Sequence, residues 1–278
     1  MKYRHSFHAG NFADVHKHVA LLALIASLQR KDKGFLYLET HAGRGAYDLS
    51  QSPGSRAARA GLARVLTQPD APAEIAAYGE AVRQWREQVA DRNAYPGSPV
   101  LAAGALREQD RAILIELQPP EAHALERCVA HHANVRVELG DGYERLRGHL
   151  PPAERRGLVL IDPPYEEPGR DFERSRAAID DALRRFATAV IMLWYPIKDA
   201  RDTQRWRERL VAALRQPTLV SELWVHPCDS RVALNGSGVF IIHPPYQLEE
   251  RMRLWLPQLR ALLDAAGTGG CAVIAAPP

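Results

Sequence analysis

Paired cysteines are missing from this chain. Its three, Cys128, Cys228 and Cys271, lie far apart with no paired metal-ligand spacing, which argues against a disulfide framework and for a reducing cytosol. Long apolar runs are missing as well. The strongest, residues 19–28, follows several basic residues in the manner of a signal peptide. It is too short to span a bilayer, is followed at once by Gln29-Arg30-Lys31-Asp32-Lys33, and has no small-residue cleavage site after it. It reads as a buried helix of a cytoplasmic protein. A strong charge of either sign is also absent. The 36 Lys and Arg against 33 Asp and Glu leave +3, slight for a nucleic-acid binder, so any basic face must be local. No internal repeat or low-complexity tract interrupts the chain. Its 278 residues can bury a substantial core, and we read 1–278 as one domain.

What is present is a series of apolar strands with polar or glycine-rich ends. Residues 35–40 alternate in strand fashion and run into His41-Ala42-Gly43-Arg44-Gly45, the strand-to-turn step that opens a nucleotide-binding α/β unit. Residues 47–95 then change character. Two Ala- and Arg-rich helices are predicted at 56–66 and 73–89, separated by Thr67-Gln68-Pro69-Asp70-Ala71-Pro72, and together they read as a small helical insertion. Arg56, Arg59, Arg64, Arg83, Arg86 and Arg92 could give it a phosphate-seeking face, although acids are interspersed and a charged, solvated helix surface is the more frequent case.

The turn Tyr95-Pro96-Gly97-Ser98-Pro99 returns to the main fold, with Ser98 placed to cap a helix or touch a ligand. The strand at 111–115 ends in Glu116, where such folds bind ribose hydroxyls. A strand-end acid without a ligand fits this position as well. The strand at 135–139 delivers Asp141 and Gly142, an acceptor for an amino group with room for close backbone approach, or a plain turn. Further strands are predicted at 189–195, 219–225 and 238–242, the last two as an antiparallel closing pair.

The first eighteen residues hold four of the eleven histidines. His5, His8, His16 and His18 do not form an i, i+4 ligand pair, and no acid or cysteine set completes a site, so we expect no metal. Asp14 is expected to cap a helix beginning near Val15, which puts Lys17 and His18 in its first turns, beside a ligand if the helix covers the pocket.

The buried strand at 157–161 ends in Asp162-Pro163-Pro164-Tyr165, at the sheet edge where open α/β folds place their ligands. Two prolines remove two N–H donors, so the Asp162 and Pro163 carbonyls face whatever enters. Carboxylate and carbonyl suit the two N–H bonds of an amino group on a planar ring, with Tyr165 expected to stack on that ring. A second copy, His243-Pro244-Pro245-Tyr246, also follows an apolar run. Its imidazole is a poorer twofold acceptor, so it reads as a strand end and turn.

Taken together, the segments FHAGNFADVHKH, FLYLETHAGRG, YPGSP, GDGY, DPPY and WYP resemble the RlmJ family, bacterial methyltransferases acting on adenine N6 in 23S ribosomal RNA. The resemblance runs through nearly the full chain. It implies a Rossmann-like class I methyltransferase fold with a mostly parallel seven-stranded sheet, an antiparallel last strand and the helical insertion at 47–95. It implies S-adenosylmethionine as cofactor, contacted by His18, His41, Ser98, Glu116, Asp141, Gly142 and Asp162, with Asp162 catalytic. Tyr3, Lys17, Pro163 and Tyr165 would face the substrate base. The implied partner is 23S ribosomal RNA, naked or in an early assembly intermediate, met by a monomer without a membrane or metal. Rival readings are an enzyme on guanine N2 or protein glutamine, the latter usually with asparagine at the position of Asp162, a dinucleotide oxidoreductase, and an RNA-binding assembly factor without catalysis.

Overall fold

The structure, a computed structural model, describes residues 9–50, 56–227 and 234–277. Tyr3, His5, His8 and Cys228 fall outside them. The first helix, α1 (Phe12–Gln29), starts earlier than the sequence suggested, because Asn11 and not Asp14 is its cap. The Asn11 Oδ1 accepts from the backbone N–H groups of Ala13 and Asp14 at 2.9 and 3.0 Å, satisfying first-turn donors. Asp14 is thereby released to turn inward, where its carboxylate accepts from the Gly10 N–H at 3.1 Å and pairs with Lys17. The helix is buried on nearly every face, which explains its unbroken apolar run: it lies between the sheet and an outer layer of helices.

After α1 the chain forms β1 (Leu36–Glu39), the short strand β2 (Ala46–Asp48), helices α2 (Arg56–Thr67) and α3 (Ala73–Gln88), and the short strand β3 (Ala94–Pro96). Next come α4 (Ser98–Ala105), β4 (Arg111–Glu116), α5 (Pro119–Val129), β5 (Val135–Leu139), α6 (Gly142–Arg145) and β6 (Gly157–Ile161). The remainder is α7 (Pro168–Arg185), β7 (Val190–Ile197), α8 (Ala200–Leu214), β8 (Thr218–Trp224), β9 (Gly236–Ile242), α9 (Leu248–Leu263) and β10 (Gly270–Ala276).

Among the described residues the large sheet has eight strands in the order β10-β8-β9-β7-β6-β1-β4-β5. The five from β5 to β7 are parallel, while β9 runs antiparallel to both its neighbours. The expected fold is thus present with its antiparallel closing pair, and β10 extends the sheet by one strand paired antiparallel to β8. From β1 the chain builds outward to β4 and β5 on one side and to β6 and β7 on the other, so a switch point lies at the carboxyl end of β1, where such sheets bind ligands. Alternation assigns side chains to two layers: Tyr37 joins the core under α1 and α9, while Leu36 and Leu38 join the core under α7 and α8.

The insertion enters and leaves through the antiparallel pair β2–β3. Its Leu62, Val65, Ile75, Tyr78 and Val82 belong to the same apolar cluster as α1 and α9, so residues 56–88 share the main core and build no separate one. Several of its arginines serve that packing. The guanidinium groups of Arg64, Arg83 and Arg86 donate to the carbonyls of Leu262, Leu66 and Ala94.

Strand direction separates the two Pro-Pro-Tyr copies. Ile161, which precedes Asp162, is in register with Leu193 in the middle of β7, whereas Ile242, which precedes His243, pairs with Ile191 near the start of β7. Because β9 is reversed, His243 emerges at the opposite edge of the sheet from Asp162. There its ring bonds to Ala189 O and Gln216 Oε1, and Tyr246 is exposed.

Candidate active site

Lys17 and Asp162 meet across 145 residues of sequence. The Lys17 Nζ donates to Asp162 Oδ2 at 2.6 Å and lies 3.1 Å from Asp14 Oδ1. The lysine side chain is 4% exposed and that of Asp162 12%, so the pair is shielded without being sealed. Burial disfavours the Lys17 charge, but attraction to Asp162 and Asp14 and the hydrogen bonds to both prevail and raise its pKa. The Trp194 ring lies 5.8 Å from the ammonium, a cation–π contact from β7.

At the end of β1 sits a carboxylate that the sequence reading passed over. Glu39 is fully buried, and accepts from the Ser98 hydroxyl at 2.5 Å and the Tyr37 hydroxyl at 2.8 Å. Burial pushes its pKa up to about 8, against the pull of those two hydroxyls and of Lys17. Ser98 therefore opens α4 without capping it through its side chain, and its hydroxyl is spent on Glu39. The signal for Glu39 was its place as the only acid ending the strand that feeds the glycine turn.

Beyond β1 the chain turns through Gly43 and Gly45, both with positive φ, at 64° and 87°, a conformation that glycine adopts without a Cβ penalty. Glu116 at the end of β4 ties this turn down, accepting from the Gly43 N–H at 2.8 Å and the Gln118 N–H at 2.7 Å. Asp141, after β5, caps α6 by accepting from the Tyr143 N–H at 2.9 Å, and its other oxygen accepts from Arg174 at 2.7 Å. Burial works against its charge, yet the Arg174 guanidinium and nearby N–H groups hold the carboxyl below its ordinary pKa. The His41 ring meets the Tyr143 ring edge-on, with centroids 4.7 Å apart. Burial lowers the His41 pKa to about 4, so the imidazole is neutral near pH 7.

Gly142 marks the closest approach of two of these turns. A Cβ placed there would lie 1.8 Å from Thr40 O. Gly142→Ala is therefore expected to strain the fold by roughly 1–3 kcal/mol and to weaken binding of S-adenosylhomocysteine. Thermal denaturation and calorimetry check both effects, and wild-type behaviour in both would sink the close-approach argument.

The remaining expectations divide. His16 is structural: its ring nitrogens lie 3.0 and 2.8 Å from the hydroxyls of Ser237 and Ser221, and burial lowers its pKa to about 3. His18 is fully buried against the insertion, 3.0 Å from the Tyr95 hydroxyl and stacked on that ring. Pro163 is buried and Pro164 exposed. The open stacking face expected of Tyr165 is not there. The ring is 4% exposed, packs against Phe172 and Trp194, and its hydroxyl donates to Trp194 O at 2.7 Å. A backbone φ of 52° turns the side chain into the wall, where burial and a satisfied hydroxyl stabilise it. Among the described residues no group of three His, Cys, Asp or Glu could hold a metal, and no helix is long and apolar enough to cross a membrane.

Four acidic residues thus end four neighbouring strands: Glu116 on β4, Glu39 on β1, Asp162 after β6 and Asp141 after β5. An adenosyl sulfonium offers two ribose hydroxyl donors, an amino donor and a positive charge. This row of acceptors, with glycine turns that admit close approach, fits such a group.

Residues 32–274 match the family described as Ribosomal RNA large subunit methyltransferase D, RlmJ. The Ribosomal RNA large subunit methyltransferase J of Escherichia coli (strain K12) is 42% identical over 98% of both chains. Its namesake from Haemophilus influenzae is 39% identical over the same shares. A crystal structure of a Legionella pneumophila protein superposes with a TM-score of 0.84 at 33% identity, covering 96% of this chain and 98% of that one. The match spans the strand ends, the glycine turn and the insertion alike, and the chain belongs to the RlmJ family of ribosomal RNA large subunit methyltransferases.

Proposed function

We propose that this methyltransferase modifies the exocyclic N6 of an adenine in 23S ribosomal RNA. The observation that carries the proposal is the Asp162 carboxylate, fixed through Oδ2 by Lys17 at the switch-point edge of the sheet and followed by two residues without N–H donors. S-Adenosylmethionine, when bound, supplies an electrophilic methyl group on a positively charged sulfur. In this reading His41, Ser98, Glu116, Asp141, Gly142 and Asp162 form the cofactor cleft, and His18, which the family resemblance adds, supports it from α1.

Adenine N6 is a weak nucleophile because its lone pair is delocalised into the ring. Asp162 Oδ1 and the Pro163 carbonyl accept its two N–H bonds off the ring plane, so that the lone pair points at the methyl group. Alignment of this kind supplies much of the rate. The Asp162 carboxylate would stabilise the positive charge that methylation places on that nitrogen, in a shielded site. The methylated nitrogen is then acidic enough to shed its proton to water without a strong base.

Lys17 keeps the carboxylate oriented, and Tyr3, which lies outside the described residues, is assigned to the base. With the Tyr165 ring inside the wall, that residue shapes the pocket through Trp194 instead of stacking on the substrate. A paired adenine hides N6, so the target is a loop or extruded base, reachable in naked RNA or an early assembly intermediate by a monomer.

The test is to map N6-methyladenine in large-subunit RNA from cells with and without this chain, and to repeat the transfer with purified components. One adenine losing its mark in the deletion and regaining it in vitro is the expected result. A methyl group found instead on guanine N2 or on protein glutamine would refute the assignment.

A further inference from the structure

Arg174 belongs to none of the groups assigned above, yet it touches one of them, Asp141, and the Tyr143 ring beside it. It projects from α7, where its guanidinium donates to Asp141 Oδ2 at 2.7 Å and lies 4.4 Å from the centroid of the Tyr143 ring. The next residue, Ser175, is fully buried, with its hydroxyl 3.0 Å from that of Tyr143. Tyr143 in turn meets the His41 ring edge-on. One ring thus joins the turn after β5, the turn after β1 and the middle of α7.

A planar guanidinium can stack on an aromatic face and bond a carboxylate at once, which a lysine ammonium cannot do with the same geometry. The consequence falls on Asp141. One oxygen is committed to capping α6, and the other is held by Arg174, so the carboxylate has a single orientation in which Oδ2 retains a lone pair for another donor.

We propose that Arg174 is a positioning residue of the cofactor site, holding Asp141 so that its free lone pair reads the amino group of the cofactor's adenine and rejects a purine with an oxygen there. The inference rests on the cofactor reading given above and deepens it. Without Arg174, Asp141 keeps its cap but can rotate, and an oxygen-bearing purine no longer meets a fixed acceptor facing its own acceptor. Arg174 is 39% exposed in its side chain, so its replacement spares the core.

Calorimetry of the full chain with S-adenosylhomocysteine and with S-inosylhomocysteine, in which a carbonyl replaces the amino group, tests this. The wild type is expected to prefer the adenosyl ligand by on the order of 100-fold, because the wrong ligand leaves a buried acceptor facing an acceptor. In Arg174→Ala the adenosyl Kd rises about tenfold and the preference narrows, as the loss of one partly exposed charge-assisted bond implies. Arg174→Lys falls between the two, and the melting temperature stays near wild type. Unchanged affinity overturns the proposal. So does an equal loss for both ligands with the preference intact, which marks a structural role, or a raised KM for RNA alone, which marks a phosphate contact. A wild type that binds neither ligand sinks the cofactor reading and this inference with it, and that control separates the two failures.

Discussion

Replacing Asp162 with asparagine is expected to lower methyl transfer by at least about 1,000-fold while leaving RNA binding within a few-fold of wild type. The amide removes the negative charge that faces the developing ammonium and gives one acceptor position to an N–H₂ donor, which repels the amine. The fold is spared because Asp14 remains 3.1 Å from Lys17 and still pairs with it. Tritium-methyl incorporation into unmodified large-subunit RNA, beside filter retention of the same RNA, reads the two quantities separately. Transfer near the wild-type rate would remove Asp162 from the chemistry, and equal loss of RNA binding would make it a docking residue.

Lys17→Met should have the second largest effect, on stability as well as rate. The side chain is 4% exposed and stands between two carboxylates, so its loss leaves like charges facing one another with no counter-charge. Breaking a buried pair in this way costs roughly 3–5 kcal/mol. A second change, Asp14→Asn, removes one of the stranded charges and should restore much of the melting temperature. It should not restore methyl transfer, because Asp162 still lacks the donor that orients it. Recovery of rate together with stability would show that Lys17 serves the fold alone. The raised lysine pKa also fixes the sign of any pH effect. A cation whose folded pKa lies above its unfolded value contributes fully below about 10.4 and loses that contribution only at higher pH. Glu39 acts with the opposite sign between pH 6 and pH 8: burial raises its pKa to about 8, so the folded state is penalised as the unfolded carboxyl ionises first.

Four of the five parallel strands, β1, β4, β6 and β7, were legible because they are buried on both faces and read as apolar runs with abrupt polar ends. That same contrast exposed Glu116 and Asp162, whereas Asp141 follows the partly exposed edge strand β5, marked by its apolar–charged alternation. Strand β10, Gly-Cys-Ala-Val-Ile-Ala-Ala, carried too little bulk to stand out, and β2 and β3 pair over three residues each, too few for a periodic pattern. Helix α9 has a proline in its interior, Pro257, which masks a helical pattern.

The site shows the same division. Lys17 could be placed beside a pocket from its position on a covering helix, but its pairing with Asp162 is a contact between distant segments that no local pattern encodes. Asp14 was taken for a cap because Asp commonly is one, and the earlier Asn11 displaced it. Tyr165 was given an outward ring because composition cannot report a positive φ. Arg174 was one arginine among several on an amphipathic helix, distinguished only by what folds against it.

The shared packing of the insertion carries a consequence for anyone wishing to shorten this enzyme. Helix α3 leans directly on α1, whose second turn presents Lys17, and α2 leans on α9. Cutting out residues 56–88 would not trim an appendage; it would strip the outer support from the beam that aims the ammonium, leaving bare hydrocarbon where a wall had stood.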